Sequence, residues 1–116
     1  SFMKMPVVEL TTTGRKSGQP RTVMLTVPVQ EGDTLVIVAS KGGEDRHPAW
    51  YVNLLADPEV SVKRREGAPV AMRARVADAD ERARLWPRIT AAYRGYAGYQ
   101  EKTDREIPVV LLDPVP

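Results

Sequence analysis

The chain opens on a run rich in β-branched residues, Pro6-Val7-Val8-Glu9-Leu10-Thr11-Thr12, which predicts a first strand. Arg21 to Val29 alternates imperfectly between apolar and polar positions and predicts a second. Between them, Thr13 to Pro20 carries two glycines and a proline and reads as a turn. Glu31-Gly32-Asp33 is a hairpin signal, followed by the nearly continuous apolar run Thr34 to Ala39. That run suits a buried strand and is too short for a typical helix. Ser40-Lys41-Gly42-Gly43 breaks it. Trp50, Tyr51, Leu54 and Leu55 then recur at helical spacing, with Pro48 at the first helical position and Asp57-Pro58 as the stop.

Two further strands are expected at Val60 to Lys63 and Val70 to Val76, around the turn Glu66-Gly67-Ala68-Pro69. Asp78 or Asp80 can cap a second helix with Glu81 in its first turn, and Leu85, Trp86, Ile89 and Ala92 form its apolar face. Gly95 and Gly98 argue against continued helix, each costing about 1 kcal/mol relative to alanine. Tyr93 to Gln100 is therefore read as a helix end and loop, and Ile107 to Leu112 as the last strand. Three strands, a helix, two strands, a helix and a strand describe a mainly β, α+β chain. Hairpin-linked strands with helices set aside suggest an antiparallel sheet curled into a barrel with two or more flanking helices.

Length and charge narrow the picture. The 116 residues fit one domain spanning 1–116. The absence of cysteine excludes disulfides, thiol catalysis and cysteine metal sites, and fits a reducing, cytoplasmic setting. No apolar run approaches the roughly 20 residues that span a bilayer. Ser1 to Met5 lacks the apolar core of a signal peptide; Ser1 looks like a cloning scar, and a native N-terminal segment is expected to be missing. A net charge of +2 is too small to argue for nucleic acid. Its distribution says more: from Leu10 to Gln30 there are three cations, Arg15, Lys16 and Arg21, and no acid.

One histidine and no cysteine make a transition-metal site unexpected, so no metal is assigned. His47 has no nucleophile near it in sequence and reads as a surface residue beside a helix start. Three stretches remain as chemistry. In residues 11 to 21 glycines can present backbone N–H groups to an anion, and the cations add fixed charge. A solvated hairpin turn would look the same. Ser40-Lys41-Gly42-Gly43 leaves a buried strand with a hydroxyl, a cation and free N–H groups, suited to the edge of a flat heterocycle. It is equally a plain strand exit. Tyr93, Tyr96 and Tyr99 hold three of the four tyrosines at a spacing of three. They can cover a planar ligand and donate a hydrogen bond, or simply pack, and the intervening glycines suggest a mobile flap.

Taken together, Leu10-Thr-Thr-Thr-Gly-Arg-Lys-Ser-Gly-Gln-Pro-Arg21, Ala39-Ser-Lys-Gly-Gly43 with Pro48-Ala-Trp-Tyr-Val-Asn-Leu54, the three tyrosines, and Thr103-Asp-Arg-Glu-Ile-Pro-Val-Val110 resemble the deazaflavin-dependent nitroreductases and F420H2-dependent quinone reductases. The match runs in order along nearly the whole chain. The resemblance implies a split β-barrel of the FMN-binding type that binds coenzyme F420 and passes a hydride from its reduced form to a quinone, nitroaromatic or enone. It implies that Arg15, Lys16, Ser17, Gly18, Gln19, Pro20 and Arg21 hold the phosphate and oligoglutamate tail, and that Leu10 and Thr11 also bind the cofactor. Leu25, Thr26 and Val27 would line the cofactor, and Ile37, Val38, Ala39, Ser40, Lys41 and Gly42 would edge its ring. Tyr96 would reach the ring, with Tyr93, Tyr99 and Ser40 beside it as further catalytic candidates. Trp50, Tyr93 and Tyr99 would wall the acceptor pocket. Family members with a longer N-terminal segment use it for membrane contact, so contact with the inner face of the membrane is expected only through such a segment. An FMN-using relative on the same barrel and a non-catalytic F420 carrier are the competing readings. The acceptor and the oligomeric state are not set by the sequence.

Overall fold

In the computed structural model, which describes residues 5–116, alternation along the first strand decides how the sheet begins. Strand β1 (Val7–Thr13) buries Val8, Leu10 and Thr12 and leaves the residues between them on the other face. It pairs antiparallel with β2 (Pro20–Thr26), Leu10 opposite Val23. The single strand expected over Arg21 to Val29 is in fact two. Pro28 has no N–H for a ladder, β2 stops at Thr26, and β3 (Val29–Glu31) starts afresh. The Val27 N–H donates back to the Pro6 carbonyl at 2.8 Å. β4 (Thr34–Val38) follows the Gly32 turn, and α1 (Ala49–Ala56) follows Pro48, which caps the helix rather than opening it.

β5 (Glu59–Arg64) and β6 (Val70–Val76) form the expected hairpin. α2 (Ala79–Ala92) is capped by Asp78, whose carboxylate accepts from the Glu81 N–H at 2.8 Å while the Glu81 side chain accepts from the Asp78 N–H. A third helix, α3 (Gly95–Glu101), and β7 (Val109–Pro114) complete the chain. The sheet order is β2-β1-β5-β6-β7-β4-β3, all antiparallel, curled into a half-barrel.

α3 corrects the loop expected over Tyr93 to Gln100. The glycine at 95 is explained by packing: a Cβ there would meet the Tyr93 ring at 2.3 Å. Tyr96 and Tyr99 then join the apolar cluster beneath, and their burial outweighs the weak helix propensity of two glycines.

Two cores result. Inside the curl, Leu10, Leu35, Ile37, Val62 and Leu112 meet Trp50, Tyr51 and Leu54, so α1 plugs the barrel. On the outer face of β4 and β7, Val36, Val38, Val109 and Leu111 pack against Leu85, Ile89 and Tyr96 of α2 and α3. This double cover explains why β4 and β7 are almost wholly apolar in sequence. No helix of the described residues is long and apolar enough to cross a membrane.

Candidate functional site

The basic turn is closed by its own backbone. Gly18 donates to the Gly14 carbonyl and Gly14 to the Gln19 carbonyl, both at 2.8 Å. Ser17 Oγ accepts from the Gln19 N–H at 3.1 Å and from Arg21 Nη2 at 3.3 Å. The turn is anchored from outside by Asn53 of α1, which is buried. Its Oδ1 accepts from the Arg15 N–H at 3.2 Å and from Arg15 Nη1 at 2.8 Å, and its Nδ2 donates to buried Thr12 at 3.2 Å. Arg15, Lys16 and Arg21 are all exposed and, among the described residues, have no carboxylate partner, whereas Arg73, Arg75, Arg82, Arg84 and Arg88 are each ion-paired.

The strand exit after β4 takes an uncommon backbone path. Lys41 has φ +45°, Gly42 +65° and Gly43 +85°. Lysine in the left-handed region costs roughly 1–2 kcal/mol. Gly43 could not be replaced without collision, since a Cβ would lie 2.6 Å from the Tyr99 carbonyl. Arg105 holds this turn from below. Its Nη2 donates to the Ser40 carbonyl at 2.8 Å, Nε to the Glu44 carbonyl at 2.8 Å, and Nη1 to the Ala39 carbonyl at 3.3 Å. Nη1 also donates to His47 Nδ1 at 3.1 Å. Burial and the neighbouring Arg105 charge push the His47 imidazole below its ordinary pKa, and its ring leans on Tyr51.

The three tyrosines stand edge to face, with ring centroids 5.4–6.3 Å apart. Tyr96 is 5% exposed, and its hydroxyl hydrogen-bonds Thr26 of β2 at 2.8 Å. Burial pushes the Tyr96 hydroxyl above the ordinary tyrosine range. The hydrogen bond that Tyr99 makes with Tyr93, which holds the Tyr99 proton, and then burial do the same for Tyr99. Tyr96 and Tyr99 therefore stay protonated at neutral pH and can donate.

These elements meet around one cleft of about 420 Å³, walled by β2, the turn after β4, Pro48, Trp50 and the tyrosines. A neighbouring depression of about 500 Å³ shares Lys41 with it and continues past Arg46 and His47 to Arg15. Of the residues singled out from sequence, Leu25, Thr26, Val38, Ser40, Lys41, Gly42, Trp50, Tyr93, Tyr96 and Tyr99 line the cleft. Leu10, Val27, Ile37 and Ala39 do not. Their side chains point into the barrel core, because a strand sends alternate residues to opposite faces. Thr11 pairs across the strand with Thr22 instead, at 2.8 Å. Gly18, Gln19 and Pro20 shape the basic turn without reaching the cleft.

A larger groove of about 820 Å³, between β1 and the β5–β6 loop, contains none of the residues singled out from sequence. Size alone therefore does not select the site. Asn53 and Arg105 were not singled out as site residues. Both lie in stretches that carry the family resemblance, and Asn53 is a polar residue on an otherwise apolar helix; the partners of the Arg105 guanidinium, 58 to 66 residues away, are not visible along the chain.

Residues 1–114 match the family model described as F420H(2)-dependent quinone reductase. The chain is 44% identical over 111 residues to F420H(2)-dependent quinone reductase Rv1261c of Mycobacterium tuberculosis, covering 92% of this chain and 72% of that one. It is similar to a solved structure described as F420-H2 dependent reductase FDR-A, at 45% identity and a TM-score of 0.80, covering 93% of this chain and 94% of the other. A second solved chain, described as a domain-swapped dimer, superposes with a TM-score of 0.81 at 45% identity, covering 93% and 80%.

Proposed function

The chain belongs to the F420H(2)-dependent quinone reductase family, and from that premise we propose that it is an oxidoreductase taking a hydride from reduced coenzyme F420 to a quinone-type acceptor in the cleft under Tyr93, Tyr96 and Tyr99. One observation carries the reading. An aromatic cleft walled by three tyrosines opens, through Lys41, onto a depression lined by Arg15, Lys41, Arg46 and a single acid, Asp45, and Arg15, Lys16, Arg21, Lys41 and Arg46 have no carboxylate partner among the described residues. A flat ring joined to a polyanionic tail fits such a pair of sites. An FMN-type ligand, with one phosphate and no glutamates, would leave most of those cations unused.

F420 supplies the hydride; the protein supplies position and polarity. Arg15, Lys16 and Arg21 hold the tail, and arginine forks suit its phosphate and carboxylates. Ser40, Lys41 and Gly42 edge the ring, and Leu25, Thr26 and Val38 form the floor beside it. Trp50, Tyr93 and Tyr99 wall the acceptor. Reduction of a quinone places negative charge on an oxygen that must be protonated. The Tyr96 hydroxyl, held by Thr26, stabilises that charge by hydrogen bonding, with Tyr93 or solvent completing the proton transfer. Nitroaromatics and enones are acceptors of the same kind, electron-poor and planar, and fit the same walls.

The test is direct. F420H2 is mixed with the protein and a panel of menaquinone analogues, nitroimidazoles and enones, and cofactor reoxidation is followed. Quinone-dependent reoxidation above the protein-free rate is expected. Tight F420 binding with no turnover of any acceptor would instead mark a carrier.

A further inference from the structure

Arg105 is the only described arginine that gathers three main-chain carbonyls, and no carboxylate lies within ion-pair distance of it. The hydrogen-bond partners of its guanidinium are all neutral: the Ala39, Ser40 and Glu44 carbonyls and the His47 ring. A guanidinium forms five donors in a rigid fork, so three carbonyls captured at once fix the path of the chain that carries them. That path is the strained one. Lys41, a non-glycine at φ +45°, leads a run of three left-handed residues, and such a conformation persists only where its surroundings impose it.

The consequence falls on the cleft side. With the Ala39 and Ser40 carbonyls drawn to Arg105, the Lys41 and Gly42 N–H groups hydrogen-bond to nothing else in the described chain. Ser40, Lys41 and Gly42 line the cleft. Successive N–H groups in a left-handed turn form a concavity that favours negative charge. The uncompensated guanidinium behind them adds to that field.

We propose that Arg105 is a positioning residue for the ring end of the cofactor site: it forces the Ser40–Gly43 turn into its left-handed shape and so makes that turn a receptor for an electron-rich heterocycle edge. The inference rests on the F420 reading for the ligand's identity, but the shaping of the turn is a property of the protein alone.

The experiment compares the parent with Arg105→Lys, which keeps the charge and loses the fork, and with His47→Ala, which removes one of the four contacts. Arg73→Lys, on a surface pair with Glu59, is the control. Two quantities are read: hydrogen exchange without cofactor at the Gly43 and Glu44 amides, which donate to the Ser40 and Lys41 carbonyls, and dissociation constants for F420 and for its tail-less deazaflavin precursor by fluorescence titration. For Arg105→Lys, exchange at these two amides should quicken about tenfold, and both ligands should weaken by the same factor of about ten. Arg21→Ala, by contrast, should spare the tail-less ligand. His47→Ala should move both readouts in the same direction and by less, and keeps the test alive should Arg105→Lys fold poorly. Parent-like exchange and affinity in Arg105→Lys would overturn the proposal. So would a loss confined to the long-tailed ligand, or a lower melting temperature with affinity unchanged. A parent that binds neither ligand overturns the F420 reading and this inference with it; a parent that binds both, beside variants that bind equally well, overturns this inference alone.

Discussion

Replacing Asn53 with alanine removes the only side chain that ties α1 to the basic turn through hydrogen bonds among the described residues. Three bonds go: two accepted from Arg15 and one donated to Thr12. The bond from the Arg15 guanidinium is charge-assisted, but Arg15 is exposed and water replaces much of what is lost. Thr12 is 1% exposed, so its hydroxyl stays dry and loses its partner. A buried group left unsatisfied costs about 1–3 kcal/mol, and an ordinary bond contributes about 1 kcal/mol, so the total is roughly 2–4 kcal/mol. Unfolding entropy of about 2 cal/mol/K per residue converts each kcal/mol into roughly 4 °C for a chain of 116 residues. Thermal unfolding followed by circular dichroism should therefore show a melting temperature lower by about 8–16 °C. Asn53→Asp is the companion. Its carboxylate can accept both Arg15 bonds and the Thr12 hydroxyl can rotate to donate to it, so less than half of that loss is expected. Cofactor affinity should follow the turn: long-tailed F420 weakens several-fold in Asn53→Ala, and the tail-less precursor is unaffected. An alanine variant that melts within about 2 °C of the parent would show that water or neighbouring groups satisfy Thr12, and the reasoning from burial would fail.

Arg21→Ala should weaken F420 more than its tail-less precursor and more at low salt than at high, because exposed charges are screened; equal loss for both ligands would place Arg21 away from the tail. Lys41→Ala should cost affinity for F420H2 above all, since the reduced ring carries negative charge on its pyrimidine side, and unchanged titrations together with unchanged turnover would remove Lys41 from the site. Tyr96→Phe keeps the aromatic wall and should lower kcat with little change in cofactor affinity; Thr26→Val, which deletes the partner of the same hydrogen bond, should lower it less, and parent rates in both would leave the tyrosines a purely apolar lid. Arg84, with Arg88, holds the Glu31 carboxyl down at about 2, below its unfolded value of about 4.3. This contribution to stability is therefore fully present above the unfolded value and disappears as pH falls toward 2. Glu31→Gln should flatten the acid limb of melting temperature against pH over that window, and an unchanged slope would assign the acid sensitivity to other carboxylates.

Much of this protein is written locally. The β-branched run of β1, the almost wholly apolar runs of β4 and β7, and the Gly32 turn are patterns of neighbouring residues, and local sterics and burial are enough to read them. So is the Asp78–Glu81 cap, whose partners are three residues apart. The cations of the basic turn and the tyrosine spacing are likewise visible along the chain, which is why these candidates and the family resemblance could be reached together. The misread elements are those where distant residues outvote local preference. Gly95 and Gly98 argue for a loop until Tyr96 is seen packed beneath α2 and bonded to Thr26, 70 residues away. The strand over Arg21 to Val29 looks continuous until the chain must pass from one end of the sheet order to the other at Val27-Pro28. Leu10, Ile37 and Ala39 face the barrel core and not the cleft, since a period of two fixes alternation but not which set faces the core. Asn53 and Arg105 do their work across 38 to 66 residues of chain. Their roles depend on which carbonyls and hydroxyls folding delivers to them, and that is settled only when α1 plugs the barrel and β7 closes beside β4.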